Sequence, residues 1–267
     1  MVSIQYSSDL HIDRYPLGVP FETFLQPAAP TLVLAGDICS VWNPLYTRFL
    51  SWCSQKWQHI ILLAGNHEYM CDTETIHTFE ETEQEIRRIS LQLGIHFLQG
   101  ESYRLPGTNI RFVGATLWSA IDPAIWGEIV GNKGDFTQTY QSMQIRVRHT
   151  HPSDICALHA LHKAYLLSEM ATQRKDEQLI VVTHHMPTME LIDTEHRTDR
   201  WRTCYASADD DLFLPNLTTW ICGHGHRSTT LRASNGLVLR MNARGYASQA
   251  ARTIDRYNPT ATFFVKN

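Results

Sequence analysis

Six short apolar runs, each closed by glycine or a polar group, punctuate the chain: Val2 to Tyr6, Thr31 to Ala35, His59 to Ala64, Ile110 to Ala115, Gln178 to Thr183 and Thr218 to Cys222. Runs this short, rich in β-branched residues and leucine, predict buried strands. Between them, Leu45, Phe49, Trp52, Cys53 and Trp57 recur at mixed three- and four-residue spacing. Phe79 to Leu93 carries its acids early and Arg87-Arg88 late, the order that complements a helix dipole. A third helix is predicted over Asp154 to Thr172, with Ser153 or Asp154 as its cap and Leu158, Leu161, Tyr165 and Met170 on its apolar face. This alternation of strand and helix implies an α/β domain. After Cys222 the period falls to two. Ser228 to Ala233 and Leu237 to Met241 flank Ser234-Asn235-Gly236 and predict a hairpin, and Thr260 to Val265 predicts an edge or second-sheet strand. The expected architecture is a sandwich of two mixed β-sheets flanked by helices, one domain over 1–267. The least regular stretch, about 118–151, carries Pro123, Gly127, Gly131 and Gly134 and is read as an irregular insert acting as a lid or substrate loop.

Composition narrows the partners. The 267 residues are 43% hydrophobic and 19% charged, which excludes disorder for most of the chain. With 23 Lys+Arg against 27 Asp+Glu there is no global basic field to grip a nucleic-acid backbone or an anionic membrane. No stretch approaches the roughly 20 apolar residues that span a bilayer. Met1 to Tyr6 lacks a basic region leading into an apolar run, so a cytoplasmic location is expected. Cys39, Cys53, Cys71, Cys156, Cys204 and Cys222 form no C-x-x-C pair and read as reduced thiols, small buried hydrophobes in character.

The chemistry lies where the predicted strands end. Asp9-Leu10-His11, Gly36-Asp37, Gly65-Asn66-His67-Glu68, His184-His185 and Gly223-His224-Gly225-His226 all sit at or just beyond strand carboxyl ends, where ligand sites of α/β sheets gather. Singly each is weak, since a D-x-H or G-D pair arises by chance. Together they deliver carboxylate, amide oxygen and imidazole, a donor set that suits two divalent first-row metals. Gly36, Gly65, Gly223 and Gly225 are expected to adopt positive φ and turn the chain sharply beside those donors.

In this order the blocks resemble the signature of the calcineurin-like metallophosphoesterase superfamily: D-x-H, G-D, G-N-H-[ED], H and G-H-x-H. The resemblance spans Ser8 to His226. Ala64 to Tyr69, Gly114 to Trp118, Thr183 to Pro187 and Asn242 to Tyr246 further look like a bacterial-type branch, which brings a fold but no particular substrate. The resemblance implies a four-layer αββα fold and a dinuclear metal-dependent phosphoester hydrolase working through a metal-bridging hydroxide on a small phosphodiester or phosphomonoester. One cation would be held by Asp9, His11, Asp37 and His226, the other by Asp37, Asn66, His184 and His224, with Asp37 bridging. Mn, Fe or Zn fits the donors, and Mn is the ion expected to support activity. His67 is implied as the catalytic residue, contacting phosphate or serving as general acid. Glu68 is implied to orient or support, and His185 to stand behind the ligands or face substrate.

This sequence also departs from its relatives. Protein phosphatases of the superfamily extend the second block to G-D-x-x-D-R-G, whereas Gly36 to Trp42 lacks the Asp-Arg-Gly tail. The residues that orient the catalytic His and grip phosphate there are missing, so this protein must find those functions elsewhere or do without them. Arg146, Arg148 and His149, then Arg197, Arg200 and Arg202, then Arg244 are candidate phosphate-binding cations, and Trp118, Trp126, Trp201 and Tyr205 candidate stacking surfaces. Two other classes were weighed. A non-catalytic scaffold conflicts with an intact donor set that would be costly to bury without metal. A nuclease conflicts with the acidic balance.

Overall fold

The computed structural model describes residues 1–71, 76–130, 132, 136, 139–143, 146–246, 248 and 256–267, with the side chains of 140–147 outside that description. In chain order the elements are β1 (Val2–Ser7), β2 (Thr31–Ala35), α1 (Pro44–Ser54), β3 (His59–Leu63), α2 (Phe79–Leu93), β4 (His96–Phe97), β5 (Glu101–Arg104) and β6 (Ile110–Gly114). Then follow α3 (Trp126–Ile129), β7 (Tyr140–Met143), β8 (Arg146–His149), α4 (Pro152–Ala171), β9 (Gln178–Val182), β10 (Leu217–Cys222), β11 (Ser228–Arg232), β12 (Val238–Asn242) and β13 (Thr262–Val265).

Two mixed sheets form. One has the order β13-β1-β2-β3-β4, parallel except for the antiparallel edge strand β13. The other has the order β11-β12-β10-β9-β6-β5, with a parallel centre and antiparallel strands at both edges. Strands buried on both faces must be apolar at every position, and side chains of alternate residues then part to opposite faces. Val33, Ala35, Ile61 and Leu63 point inward to meet Phe112, Ile180, Val182 and Ile221 of the second sheet. Leu32, Leu34, Ile60 and Leu62 point outward to Phe49, Leu50 and Cys53 of α1 and Ile86 and Ile89 of α2. Leu179, Val181, Trp220 and Cys222 pack with Leu166 and Met170 of α4. The result is four layers, helix, sheet, sheet and helix. Each such aliphatic side chain contributes about 1.5–3 kcal/mol by leaving water.

The third helix keeps most of its expected face: Met170 is buried and Leu158 and Tyr165 pack against the core, with Ile155, His159 and Leu166 buried beside them, whereas Leu161 is 66% exposed. The polar His159 sits within the buried stripe because Leu117 O accepts from its Nδ1 at 3.1 Å and Asp209 lies 3.5 Å from its Nε2. The cap is His151, in place of Ser153 or Asp154: Asp154 instead reaches back to accept from the His151 N–H at 2.8 Å. Within the stretch read as irregular, β7 and β8 form an antiparallel hairpin. Among the described residues no helix is long and apolar enough to cross a membrane.

Candidate metal centre

Five parallel strands deliver the polar blocks at their carboxyl ends: β1 leads to Asp9 and His11, β2 to Asp37, β3 to Asn66 and His67, β9 to His184, and β10 to His224 and His226. The turns are made by the donors themselves. Asp9 (φ 53), His11 (φ 43), Asp37 (φ 59), His224 (φ 66) and His226 (φ 44) all lie in the left-handed region. For a non-glycine residue that conformation costs of order 1–3 kcal/mol and persists only where the surroundings over-determine it. Here they do. The Asp9 N–H donates to Gly36 O at 2.9 Å, the His11 N–H to Asp37 O at 3.0 Å, and the His224 N–H to both Asp9 carboxylate oxygens at 3.0 Å.

The expectation for the glycines is therefore corrected. Gly36 alone of the four has positive φ, +86°. Gly65, Gly223 and Gly225 supply room instead of a turn. A Cβ on Gly65 would stand 2.2 Å from Asp37 Oδ1 and 2.6 Å from His184 Cε1. Gly65→Ala is expected to push Asp37 and His184 apart, costing about 1–3 kcal/mol of stability and lowering metal content. Thermal unfolding together with metal analysis checks this, and full metal content at unchanged stability would contradict it.

Two groups of side chains converge. Asp9, His11, Asp37 and His226 offer ligand atoms all within 4.8 Å of one another, and so do Asp37, His184 and His224, with Asp37 common to both. In the first, His11 Nε2 lies 2.9 Å from His226 Nε2 and 3.7 Å from Asp37 Oδ2, and His226 Nε2 lies 3.5 Å from Asp9 Oδ1. In the second, the His184 Nδ1–H donates to Ala35 O at 2.8 Å, which fixes the ring and aims Nε2 inward. That nitrogen is 3.1 Å from Asn66 Oδ1 and 3.4 Å from Asp37 Oδ1. Asp37 Oδ2, His11 Nδ1 and His224 Nε2 are buried without a hydrogen-bond partner among the described residues. Orphaned polar atoms are costly in a protein interior. Asp37 Oδ2 and His224 Nε2 belong to the two groups, so a cation in each would satisfy them, and the mixed nitrogen and oxygen donors suit divalent first-row ions.

The electrostatics agree with that use. Burial opposes ionisation of Asp37, but His184 and then His67 hold its carboxyl well below the usual carboxylate range. Burial also opposes charge on His184, yet the Asp37 carboxylate holds it up at about 10. Burial pushes His11 and His224 well below the ordinary imidazole value. They stand neutral, the form that ligates metal. Binding at His184 must displace a proton, so cation affinity rises with pH.

Glu68 is the support for this cage. Fully buried, its carboxylate accepts from Gly65 N (2.7 Å), Asp37 N (2.9 Å) and Ile38 N (2.7 Å), clipping the loop after β3 to the loop after β2. Burial, and next the Asp37 charge, push its carboxyl up to about 8. His67 belongs to neither donor group. Its N–H donates to Asp37 Oδ1 at 2.9 Å, its ring stands 4.5 Å edge-on from that of His11, and its Nε2 lies 2.9 Å from the Tyr246 hydroxyl. Tyr246 was given no site role by the sequence, although it closes the Asn242 to Tyr246 block that resembles the bacterial-type branch and follows β12 at one more strand carboxyl end.

The remaining candidates differ in their placement. His185, expected behind the ligands or facing substrate, stands behind a donor: it is 2% exposed, with its ring stacked against that of His224 at 4.1 Å and its N–H donating to Thr116 O at 3.1 Å. Arg148 spends its guanidinium on Asp154, with two bonds of 2.7 Å that tie the hairpin to α4. Arg146 lies in β8, and its side chain falls outside the described residues. Arg244 is buried over the rings of Phe24, Tyr15 and Tyr257, at 4.8, 5.0 and 5.5 Å, because a weakly hydrated guanidinium stacks well on aromatic faces. Trp118 is a core residue, 1% exposed and stacked on Phe79 at 5.4 Å. Tyr205, 5.6 Å from the His224 ring, does lie against the donor cluster.

Comparison with known proteins agrees with this geometry. Residues 6–228 match the sequence profile described as Calcineurin-like phosphoesterase. No curated protein matches the chain. Among solved structures, the phosphopantetheinyl hydrolase PptH from Mycobacterium tuberculosis superimposes with a TM-score of 0.71 at 17% identity, covering 93% of this chain and 91% of that one. A dimetal phosphatase from Danio rerio gives a TM-score of 0.51 at 13% identity, over 91% and 87%. At such identities the likeness is one of fold. The profile match takes in all five strand-end blocks, and on that ground the chain belongs to the calcineurin-like phosphoesterase family.

Proposed function

We propose that the protein is a dinuclear metal-dependent hydrolase of a small phosphoester, with a phosphodiester as the preferred class. The observation that carries this reading is the pair of buried donor groups joined through Asp37. Asp9, His11, Asp37 and His226 would hold one cation, and Asp37, Asn66, His184 and His224 the other, with Mn the ion that supports activity. When bound, such a pair supplies Lewis acidity and an activated water at neutral pH.

The chain's own residues do the rest. Glu68 and the strained strand ends fix the donors before substrate arrives, so little reorganisation is needed during reaction. His67, beside but outside the donor groups, is placed to give a proton to the leaving oxygen. His185 packs behind His224, with Trp118 5.2 Å behind it in turn, which restricts the movement of that donor.

The diester preference is supported by where the arginines are. Arg148 and Arg200 are bound to Asp154 and Glu128, Arg197 to backbone carbonyls, and Arg244 within its aromatic cage. A diester carries a single negative charge and asks for fewer such partners than a monoester dianion. The test is hydrolysis of p-nitrophenyl phosphate and bis(p-nitrophenyl) phosphate by metal-stripped protein, with and without restored Mn²⁺. Diester cleavage that needs Mn²⁺ and outpaces the monoester is expected. Faster monoester cleavage would remove the diester preference, and no metal-dependent turnover of either would remove the reading itself.

A further inference from the structure

Protein phosphatases of the resembling superfamily use an aspartate of the second block to orient their catalytic histidine, and this chain has none at that place. In this chain a phenol meets the His67 ring. Tyr246 reaches His67 from 179 residues away, its hydroxyl 2.9 Å from Nε2. Its ring is wedged between imidazoles, with centroids 4.4 Å from His11 and 4.5 Å from His226. The segment that carries it is anchored to the loop after β1: the Arg244 N–H donates to Ser8 O at 3.2 Å and the Gly245 N–H to Asp9 O at 2.9 Å. The Tyr15 hydroxyl donates to Gly245 O at 3.2 Å, and Arg244 is clamped among Tyr15, Phe24 and Tyr257.

We infer that Tyr246 is a positioning residue for His67, holding its ring through Nε2 so that the other nitrogen meets the leaving oxygen in a fixed orientation. The inference rests on the reading of His67 as the group that protonates that oxygen. An imidazole gripped at one nitrogen has its rotation restricted. A carboxylate only accepts, so it grips an N–H. A hydroxyl donates to a bare nitrogen or accepts from an N–H. Tyr246 therefore holds His67 before and after proton transfer. In the step it serves, one proton passes from the imidazolium to the ester oxygen as the P–O bond breaks. The leaving group departs as a neutral alcohol or phenol and the imidazole is left neutral, while phosphorus takes its new oxygen from water, one proton of which stays on the product and the other passes to solvent, from which the imidazole is recharged.

The test compares methyl phenyl phosphate, whose leaving group needs a proton, with methyl p-nitrophenyl phosphate, whose leaving group does not, on the full Mn²⁺-loaded chain. Tyr246→Phe keeps the ring and removes the hydroxyl. It is expected to lower kcat roughly 10- to 100-fold on the phenyl ester and under about 3-fold on the nitrophenyl ester, less than the roughly 10²- to 10⁴-fold that loss of the general acid itself costs. KM and metal content should stay as in the unmodified protein. His67→Ala is run beside it, and adding Tyr246→Phe to that variant should cost nothing more. An equal loss on both esters, no loss, or loss of a metal from Tyr246→Phe overturns the inference while leaving His67 as acid. If His67→Ala itself shows no leaving-group discrimination, the His67 reading and the inference fall together.

Discussion

Asp37→Asn is expected to lower kcat/KM roughly 10³-fold or more and to reduce metal content below two ions per chain. The size follows from what the carboxylate does. Among the described residues it is the side chain common to both donor groups, and metal Lewis acidity is worth several kcal/mol at the transition state, each 1.36 kcal/mol being tenfold in rate. Asparagine isolates the charge. It tolerates the left-handed backbone of this position, where φ is 59°, and it keeps an oxygen for the His67 N–H, 2.9 Å from Oδ1. Alanine would lose these as well. Elemental analysis of the dialysed variant and turnover with excess Mn²⁺ are the measurements. Two tightly held ions with near-normal turnover would mean that Asp37 does not bridge.

The donors of this centre were legible because they follow a rule of position: a short apolar run, then glycine or a polar group, then a carboxylate, amide or imidazole. β1, β2, β3, β9 and β10 each end that way, and the parallel centres of the two sheets bring those ends together. β4 and β5 were not legible, being two and four residues long, too short for a period to register. The buried face of α4 was legible in part: Leu158, Tyr165 and Met170 pack inward, but His159 reads as polar, and only its bond to Leu117 O and its closeness to Asp209 make it a core residue.

What stayed hidden around the site is of two physical kinds. Backbone strain leaves no mark on a non-glycine residue, so the left-handed turns at Asp9, His11, Asp37, His224 and His226 went unread, and of the four glycines assigned that conformation only Gly36 has it. Contacts across the fold leave no local mark either. Glu68 accepting from Gly65, Asp37 and Ile38, Arg244 stacked among three rings, and Tyr246 on His67 each join segments far apart in sequence. Arginines are commonly exposed and were read as a rim. The fold instead engages Arg148 and Arg244 in structure.

His67→Ala is expected to lower kcat by about 10²- to 10⁴-fold, the span that general acid–base catalysis covers, while both metal ions stay bound. The separation of the two effects is the informative part. His67 contributes to neither donor group, and its backbone N–H to Asp37 survives the substitution, so the cage should stand. The loss should be greatest for esters with unactivated leaving groups and should approach the lower end for nitrophenyl esters, which depart without a proton. KM should change little, since the interaction removed is made in the transition state. Truncation also opens a ring-sized space beside His11 and Tyr246, and added imidazole should restore part of the rate by filling it. Loss of a metal ion from this variant, or full turnover of an unactivated ester, would place His67 in the cage or outside the chemistry, and the proton would then have to come from another group.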